Sequence, residues 1–188
     1  MSSSLRHLPN IISAARVLLV APIVWSLLNN QFELAIWLFL IAGASDGLDG
    51  FLAKRFGWTS RLGGILDALA DKALLVSTFV CLWWLGLFPG WLVLAVLGRD
   101  LLIVIGGAVY NWRIEAVEPE PTPISKLNTF LQIALAASGV VHLGFGGVPG
   151  WLIETLVWLV LATILLSGAG YVVEWSRRAR EHGVRRND

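Results

Sequence analysis

A chain of 188 residues in which 56% are hydrophobic, only 14% are charged and the mean hydropathy is +0.72 lies outside the range of soluble globular domains and identifies an integral membrane protein. The formal net charge of +1 gives no sign of a nucleic-acid partner, since the basic residues are dispersed and no polybasic, aromatic-interleaved patch occurs apart from the C-terminal tail. A single cysteine, Cys81, excludes an internal disulfide.

Six apolar segments follow one another, at about 11–29, 32–54, 65–87, 90–112, 124–144 and 150–175, each near the ~20 residues that cross a bilayer core as a helix. The predicted fold is therefore all-α, a single domain over 1–188 with six transmembrane helices. The N-terminal "MSSSLRHLPN" is too short for a transit peptide, and no small-residue cleavage site follows the first apolar run. That run reads as a retained helix, and a prokaryotic plasma (inner) membrane is the simplest location. Short turns join the segments: Asn29-Asn30-Gln31, Gly57 to Gly64, Phe88-Pro89-Gly90, the Pro- and Glu-rich "EAVEPEPTP" (115–123) and "GFGGVPG" (144–150).

Lys and Arg collect on one side of this arrangement. Arg6 and Arg16 lie toward the first end, Lys54, Arg55, Arg61 and Lys72 around the second connection, and Arg113 and Lys126 around the fourth. Arg177, Arg178, Arg180, Arg185 and Arg186 lie in the basic tail (176–188), whereas the first, third and fifth connections carry no Lys or Arg. By the positive-inside rule both termini and the 54–64 loop face the cytoplasm. The tail reads as an anchor for anionic headgroups. Most of the ten tryptophans read as interfacial belts, and His142 falls on the outer side.

The stretch "SDGLDGFLAKRFGWTSRLGGILDALADK" (45–72) places Asp46 and Asp49 in the second segment and Asp67 and Asp71 in the third. At a helical rise of 1.5 Å per residue, Asp46 and Asp49 lie ~20 and ~24 Å from the outer end of their helix, and Asp71 and Asp67 ~22 and ~28 Å from the outer end of theirs. Spacings of i, i+3 and i, i+4 put each pair on one helix face, so two antiparallel helices bring the four acids to one level. Four carboxylates at that depth need protons or cations. Two hard divalent ions, Mg²⁺ or Mn²⁺, satisfy them and suit a diphosphate substrate. Protonated or cation-paired structural acids, or an ion or proton relay in a transporter, are the alternatives the spacing leaves open. An EF-hand is excluded, because its carboxylates alternate along the loop. Gly50, Ala53 and Gly63 lie on or beside the acidic faces, where small residues serve either close approach of a ligand or helix packing.

Read as D-x2-D-G-x2-A-K-x8-G-x3-D-x3-D from Asp46 to Asp71, the stretch resembles the signature of the CDP-alcohol phosphatidyltransferases. The resemblance implies a membrane transferase in which an acceptor hydroxyl attacks the β-phosphorus of a CDP-linked lipid and releases CMP. It implies that Asp46, Asp49, Asp67 and Asp71 bind two divalent ions on the cytoplasmic side, that Asp71 also takes the acceptor proton, and that the active form is a homodimer. Asp46, Asp49, Gly50, Ala53, Lys54, Gly63 and Asp67 would line the CDP-lipid site. The family usually has Arg where this chain has Lys54, followed here by Arg55, and Ala68 stands where relatives often have Pro.

The segments "HLPNIISAARVLL", "GRDLLIV" and "PTPISKLNTFLQ" resemble the branch of phosphatidylglycerophosphate synthases and eukaryotic-type cardiolipin synthases. "SKLNT" is similar to the cardiolipin synthases, where enzymes using glycerol 3-phosphate tend to show G-K-x-K-T. Asn128 in place of a second lysine suits a singly charged diester better than a phosphate monoester. The expected partners are CDP-diacylglycerol and phosphatidylglycerol, giving cardiolipin, with glycerol 3-phosphate as the alternative acceptor. Arg61, Arg99 and Lys126 are the candidate acceptor-binding residues. Arg99 and Asp100 alternatively form an ion pair between helices, and Arg61 and Lys126 alternatively serve as positive-inside anchors.

Overall fold

In the computed structural model, which describes residues 8–56, 61–113 and 122–185, the chain is helical with no strands among those residues. The helices are α1 (Leu8–Leu28), α2 (Phe32–Phe56), α3 (Arg61–Trp84), α4 (Gly90–Arg113), α5 (Pro123–Phe145) and α6 (Gly150–Arg185). They match the predicted segments at most ends. The two largest differences are in polar stretches: α3 begins at Arg61 rather than 65, and α6 runs to Arg185 rather than 175; in addition α1 begins at Leu8 rather than 11 and α3 ends at Trp84 rather than 87. Hydropathy ends where the chain becomes polar, but a helix satisfies its own backbone and continues past that point.

Windows within three of the helices, Ile11–Leu28, Pro123–Phe145 and Gly150–Tyr171, are long and apolar enough to cross a membrane. Only 28%, 33% and 33% of these windows is buried inside the chain, so their remaining apolar faces point outward, as a lipid environment requires. α2, α3 and α4, which carry Asp46, Asp49, Asp67, Asp71, Arg99 and Asp100, are not among those three.

Two compact units divide the chain. The first comprises residues up to Phe88 together with Ala136–Gly150, and in it α1 packs against both α2 and α3. Each of these helices buries one stripe. On α1 it is Ser13, Arg16, Ile23 and Leu27; on α2 Ala35, Phe39 and Ala42, continued by Asp46. On α3 Leu82, Thr78, Leu74 and Ala70 lead to Asp71 and Asp67. All three stripes are apolar at one end and charged at the other. At the apolar end, Phe79 stacks at a tilt on Phe88, with centroids 5.3 Å apart.

The turns at that end close with left-handed residues. Asn30 has φ 58°, and the amide of Gln31 returns to the Ser26 carbonyl at 2.8 Å. Gly86 has φ 79° with Leu87 N–H on Leu82 O at 2.9 Å, and Gly146 has φ 64° with its amide on His142 O at 2.9 Å. These caps satisfy carbonyls that have no partner within the helix. His142 Nδ1 donates to the Val148 carbonyl at 2.7 Å, so this histidine fastens a turn.

The second unit comprises Pro89–Leu135 and residues from Trp151 onward. Its stripes follow the same plan. Leu92, Val96 and Arg99 are buried on α4; Leu135, Gln132, Asn128 and Ser125 on α5; Ile153, Val157, Val160, Thr163 and Ser167 on α6. Trp91 and Trp158 meet at the apolar end, with centroids 5.9 Å apart.

Candidate active site

The charged end of the first unit holds Arg16, Asp46, Asp67 and Asp71. Asp46 continues the buried stripe of α2, and Asp67 and Asp71 are one turn apart on α3, so packing both helices against α1 brings the acids together. One carboxylate oxygen from each of Asp46, Asp67 and Asp71 lies within 4.8 Å of the others, a grouping able to hold a metal ion. The three side chains are 45%, 41% and 47% exposed, so the group faces an opening.

Arg16 closes the group from the protein side. Its side chain is fully buried, and Nη1 donates to Asp46 Oδ1 at 2.5 Å, Asp71 Oδ1 at 2.7 Å and Asp67 Oδ1 at 3.1 Å. The cation offsets the mutual repulsion of acids on two helices, and charge-assisted carboxylate–guanidinium contacts of this kind are the strong class of hydrogen bond.

Of the residues singled out in the sequence, Asp46, Asp67 and Asp71 are therefore brought together. Gly50 lies one turn beyond Asp46 on α2, and a Cβ there would meet no atom of the described residues within 4 Å. Helix packing among the described residues does not account for that glycine. Gly63 sits in the first turn of α3, and Arg55 is exposed on α2. The side chains of Asp49, Ala53, Lys54 and Arg61 lie outside the described residues.

Arg99 and Lys126 belong to the second unit. Arg99 is 7% exposed; its Nη1 donates to Asp100 at 2.8 Å, and its Nη2 donates to Ser125 Oγ and, at 3.1 Å, to Ser167 Oγ. The pairing with Asp100 runs along α4 itself; the contacts that tie α4 to α5 and α6 are with the two serines. Lys126 is exposed beside Ser125. Below them Asn128, fully buried, has one end of its amide 3.0 Å from Thr163 Oγ1 and the other end without a partner. Gln132, one turn further along α5, is 3% exposed and its amide nitrogen also has no partner.

Two features escaped the sequence reading. Arg16 was counted there only as a topological cation, although an arginine in an otherwise apolar helix demands an acidic partner at its own depth. The seam of Ser125, Asn128, Gln132, Thr163 and Ser167 was visible as i, i+3, i+7 and i, i+4 spacings of polar residues on α5 and α6.

The family model for CDP-alcohol phosphatidyltransferase matches residues 6–172. The chain is 35% identical over 188 aligned residues to the chloroplastic CDP-diacylglycerol–glycerol-3-phosphate 3-phosphatidyltransferase 1 of Oryza sativa, covering 90% of this chain and 57% of that protein. It is 30% identical to the Aquifex aeolicus CDP-diacylglycerol–glycerol-3-phosphate 3-phosphatidyltransferase, covering 89% of this chain and 95% of the relative. It is also 30% identical to the Rattus norvegicus cardiolipin synthase (CMP-forming), over 71% of this chain and 49% of that one. The chain thus spans about half the length of several curated relatives and nearly all of the bacterial one. With a match from residue 6 to 172 that includes the whole acidic signature, the chain belongs to the CDP-alcohol phosphatidyltransferase family.

Proposed function

We propose that this protein transfers a phosphatidyl group from CDP-diacylglycerol to the hydroxyl of phosphatidylglycerol, forming cardiolipin and releasing CMP. The observation that carries the transferase reading is the convergence of Asp46, Asp67 and Asp71, oxygens within 4.8 Å, at the spacing of the family signature. Carboxylate oxygens alone, partly exposed, form a donor set for a hard divalent cation, so Mg²⁺ or Mn²⁺ fits these residues. Asp46, Asp67 and Asp71, with Asp49 as the fourth acid of the signature, would hold two such ions. When bound, the ions supply charge stabilisation to the diphosphate and to the leaving CMP.

The chain's own residues do the rest. Gly50, Ala53 and Gly63 leave room beside the acids for the nucleotide, and Lys54 provides positive charge for the diphosphate. Asp71 accepts the proton of the acceptor hydroxyl as oxygen attacks the β-phosphorus; the β-phosphorus–oxygen bond to CMP breaks and the electron pair leaves with CMP. Arg61, Arg99 and Lys126 would hold the anionic end of the acceptor. Buried Arg99, oriented by Ser125 and Ser167, supports that role and equally favours a second reading, phosphatidylglycerophosphate synthesis from glycerol 3-phosphate. Asn128 and Gln132 support the diester. They line the polar seam with neutral amides, and a phosphate monoester of nearly two charges calls for further cations.

We place the protein in a prokaryotic plasma membrane as a six-span homodimer, both termini and the acid site cytoplasmic; the charge distribution of the connections supports the orientation. The deciding experiment gives purified protein CDP-diacylglycerol with either acceptor under matched conditions and identifies the lipid product. Cardiolipin from phosphatidylglycerol is expected. Phosphatidylglycerophosphate without cardiolipin overturns the acceptor assignment, and no CMP with either acceptor overturns the transferase reading.

A further inference from the structure

Arg16 enters the acid site from α1, and it is placed differently from the carboxylates. The three carboxylates are 41–47% exposed toward an opening, whereas the Arg16 side chain is fully buried beneath them. A single nitrogen, Nη1, reaches Oδ1 of all three acids. That nitrogen carries two hydrogens and serves three oxygens, so charge attraction rather than saturated hydrogen bonding holds the group. The same three residues supply the oxygens that lie within 4.8 Å of one another, the distance range of a shared cation.

We propose that Arg16 is a positioning residue that assembles the acid site as a built-in counter-cation and competes with divalent ions for the carboxylates of Asp46, Asp67 and Asp71. Repulsion between α2 and α3 is offset by a cation fixed on the helix that packs against both. Ion binding then weakens the Arg16 contacts, which lowers the affinity for the ion while keeping the ion-free site folded. The site is thereby loaded by ions at the concentration of the cell and not by traces. The opposite effects of one residue on the two properties separate this role from ordinary packing, in which loss of the side chain weakens both.

The inference rests on the metal-site reading, so its test measures ion binding directly. Wild type and Arg16→Gln, purified in detergent, are titrated with Mn²⁺ by electron paramagnetic resonance of the free ion, and their unfolding is followed in EDTA and in saturating Mn²⁺. Arg16→Gln is expected to unfold at a lower temperature in EDTA and to recover most of the difference with Mn²⁺. Its Mn²⁺ affinity is expected to rise about tenfold or more, the factor corresponding to competition by one charge-assisted hydrogen bond. Unchanged or weaker Mn²⁺ binding in Arg16→Gln overturns the proposal. Should that variant fail to accumulate, Arg16→Met, which also removes the charge while keeping a long unbranched side chain, is expected to bind Mn²⁺ more tightly than wild type; equal or weaker binding refutes the competition. Absence of Mn²⁺ binding to the wild type as well would instead refute the metal-site reading on which the proposal stands.

Discussion

Asp46, Asp67 and Asp71 each present a half-exposed carboxylate with one oxygen tied to Arg16, so replacing any one by Asn removes a charge without opening a cavity. Asp46→Asn, Asp67→Asn and Asp71→Asn should each abolish CMP release while leaving the protein folded in detergent, and excess EDTA should do the same to the wild type; CMP production and thermal unfolding read the two effects. Gly50 offers a sharper separation. Because a Cβ there meets nothing within 4 Å, Gly50→Ala should raise stability by about 0.5–1 kcal/mol, the helix preference of alanine over glycine. Its KM for CDP-diacylglycerol should nevertheless rise if that space holds the nucleotide as proposed. An unaltered KM would return Gly50 to the surface of the helix. Asn128→Lys, which adds a cation beside Thr163, should increase the use of glycerol 3-phosphate relative to phosphatidylglycerol in a competition assay.

Among the elements, α5 contributes its first half to one unit and its second half to the other. The second half packs closely: a Cβ on Gly139 would lie 2.9 Å from Leu82 Cδ1 and 3.1 Å from Phe88 Cζ, and one on Gly144 2.9 Å from Ile36 Cδ1. Gly139→Leu should destabilise the protein by about 1–3 kcal/mol or more, the range of overpacking in a close-packed interior, as measured by unfolding in detergent. Glycine serves opposite purposes here and on α2, and sequence alone does not separate them. The existence and order of the helices were legible because runs of ~20 apolar residues have few other fates in a membrane. The extensions at Arg61 and to Arg185 were not, because a helix end at the water boundary is set by caps and not by hydropathy. The acids were legible from their spacing. Arg16 was not, because thirty residues separate it from Asp46 and only the packing of α1 against α2 makes them neighbours.

For the molecule as a whole, the proposed topology rests on the one-sided distribution of Lys and Arg. Single cysteines at Asn30 and at Asn187 in a Cys81→Ala background should label oppositely with an impermeant reagent on intact cells, Asn30 reacting and Asn187 protected. Equal labelling would refute the six-span arrangement. Asn30 suits the purpose only with care, since its φ of 58° favours Asn or Gly, and a cysteine at Gln31 is the unstrained alternative.

The stripes of α1, α2 and α3 change from apolar to charged along their length, and this has a consequence for traffic through the site. Ile23, Leu27, Phe39, Phe79 and Leu82 fill the apolar end and are each at most 9% exposed, whereas the carboxylates at the other end are 41–47% exposed. Under the proposed reaction, ions and nucleotide exchange with one aqueous compartment alone, while the lipid substrate and product never leave the monolayer next to it. Synthesis would then be vectorial, adding lipid mass to a single leaflet, and a membrane growing by this enzyme would need a separate device to carry half of the product across.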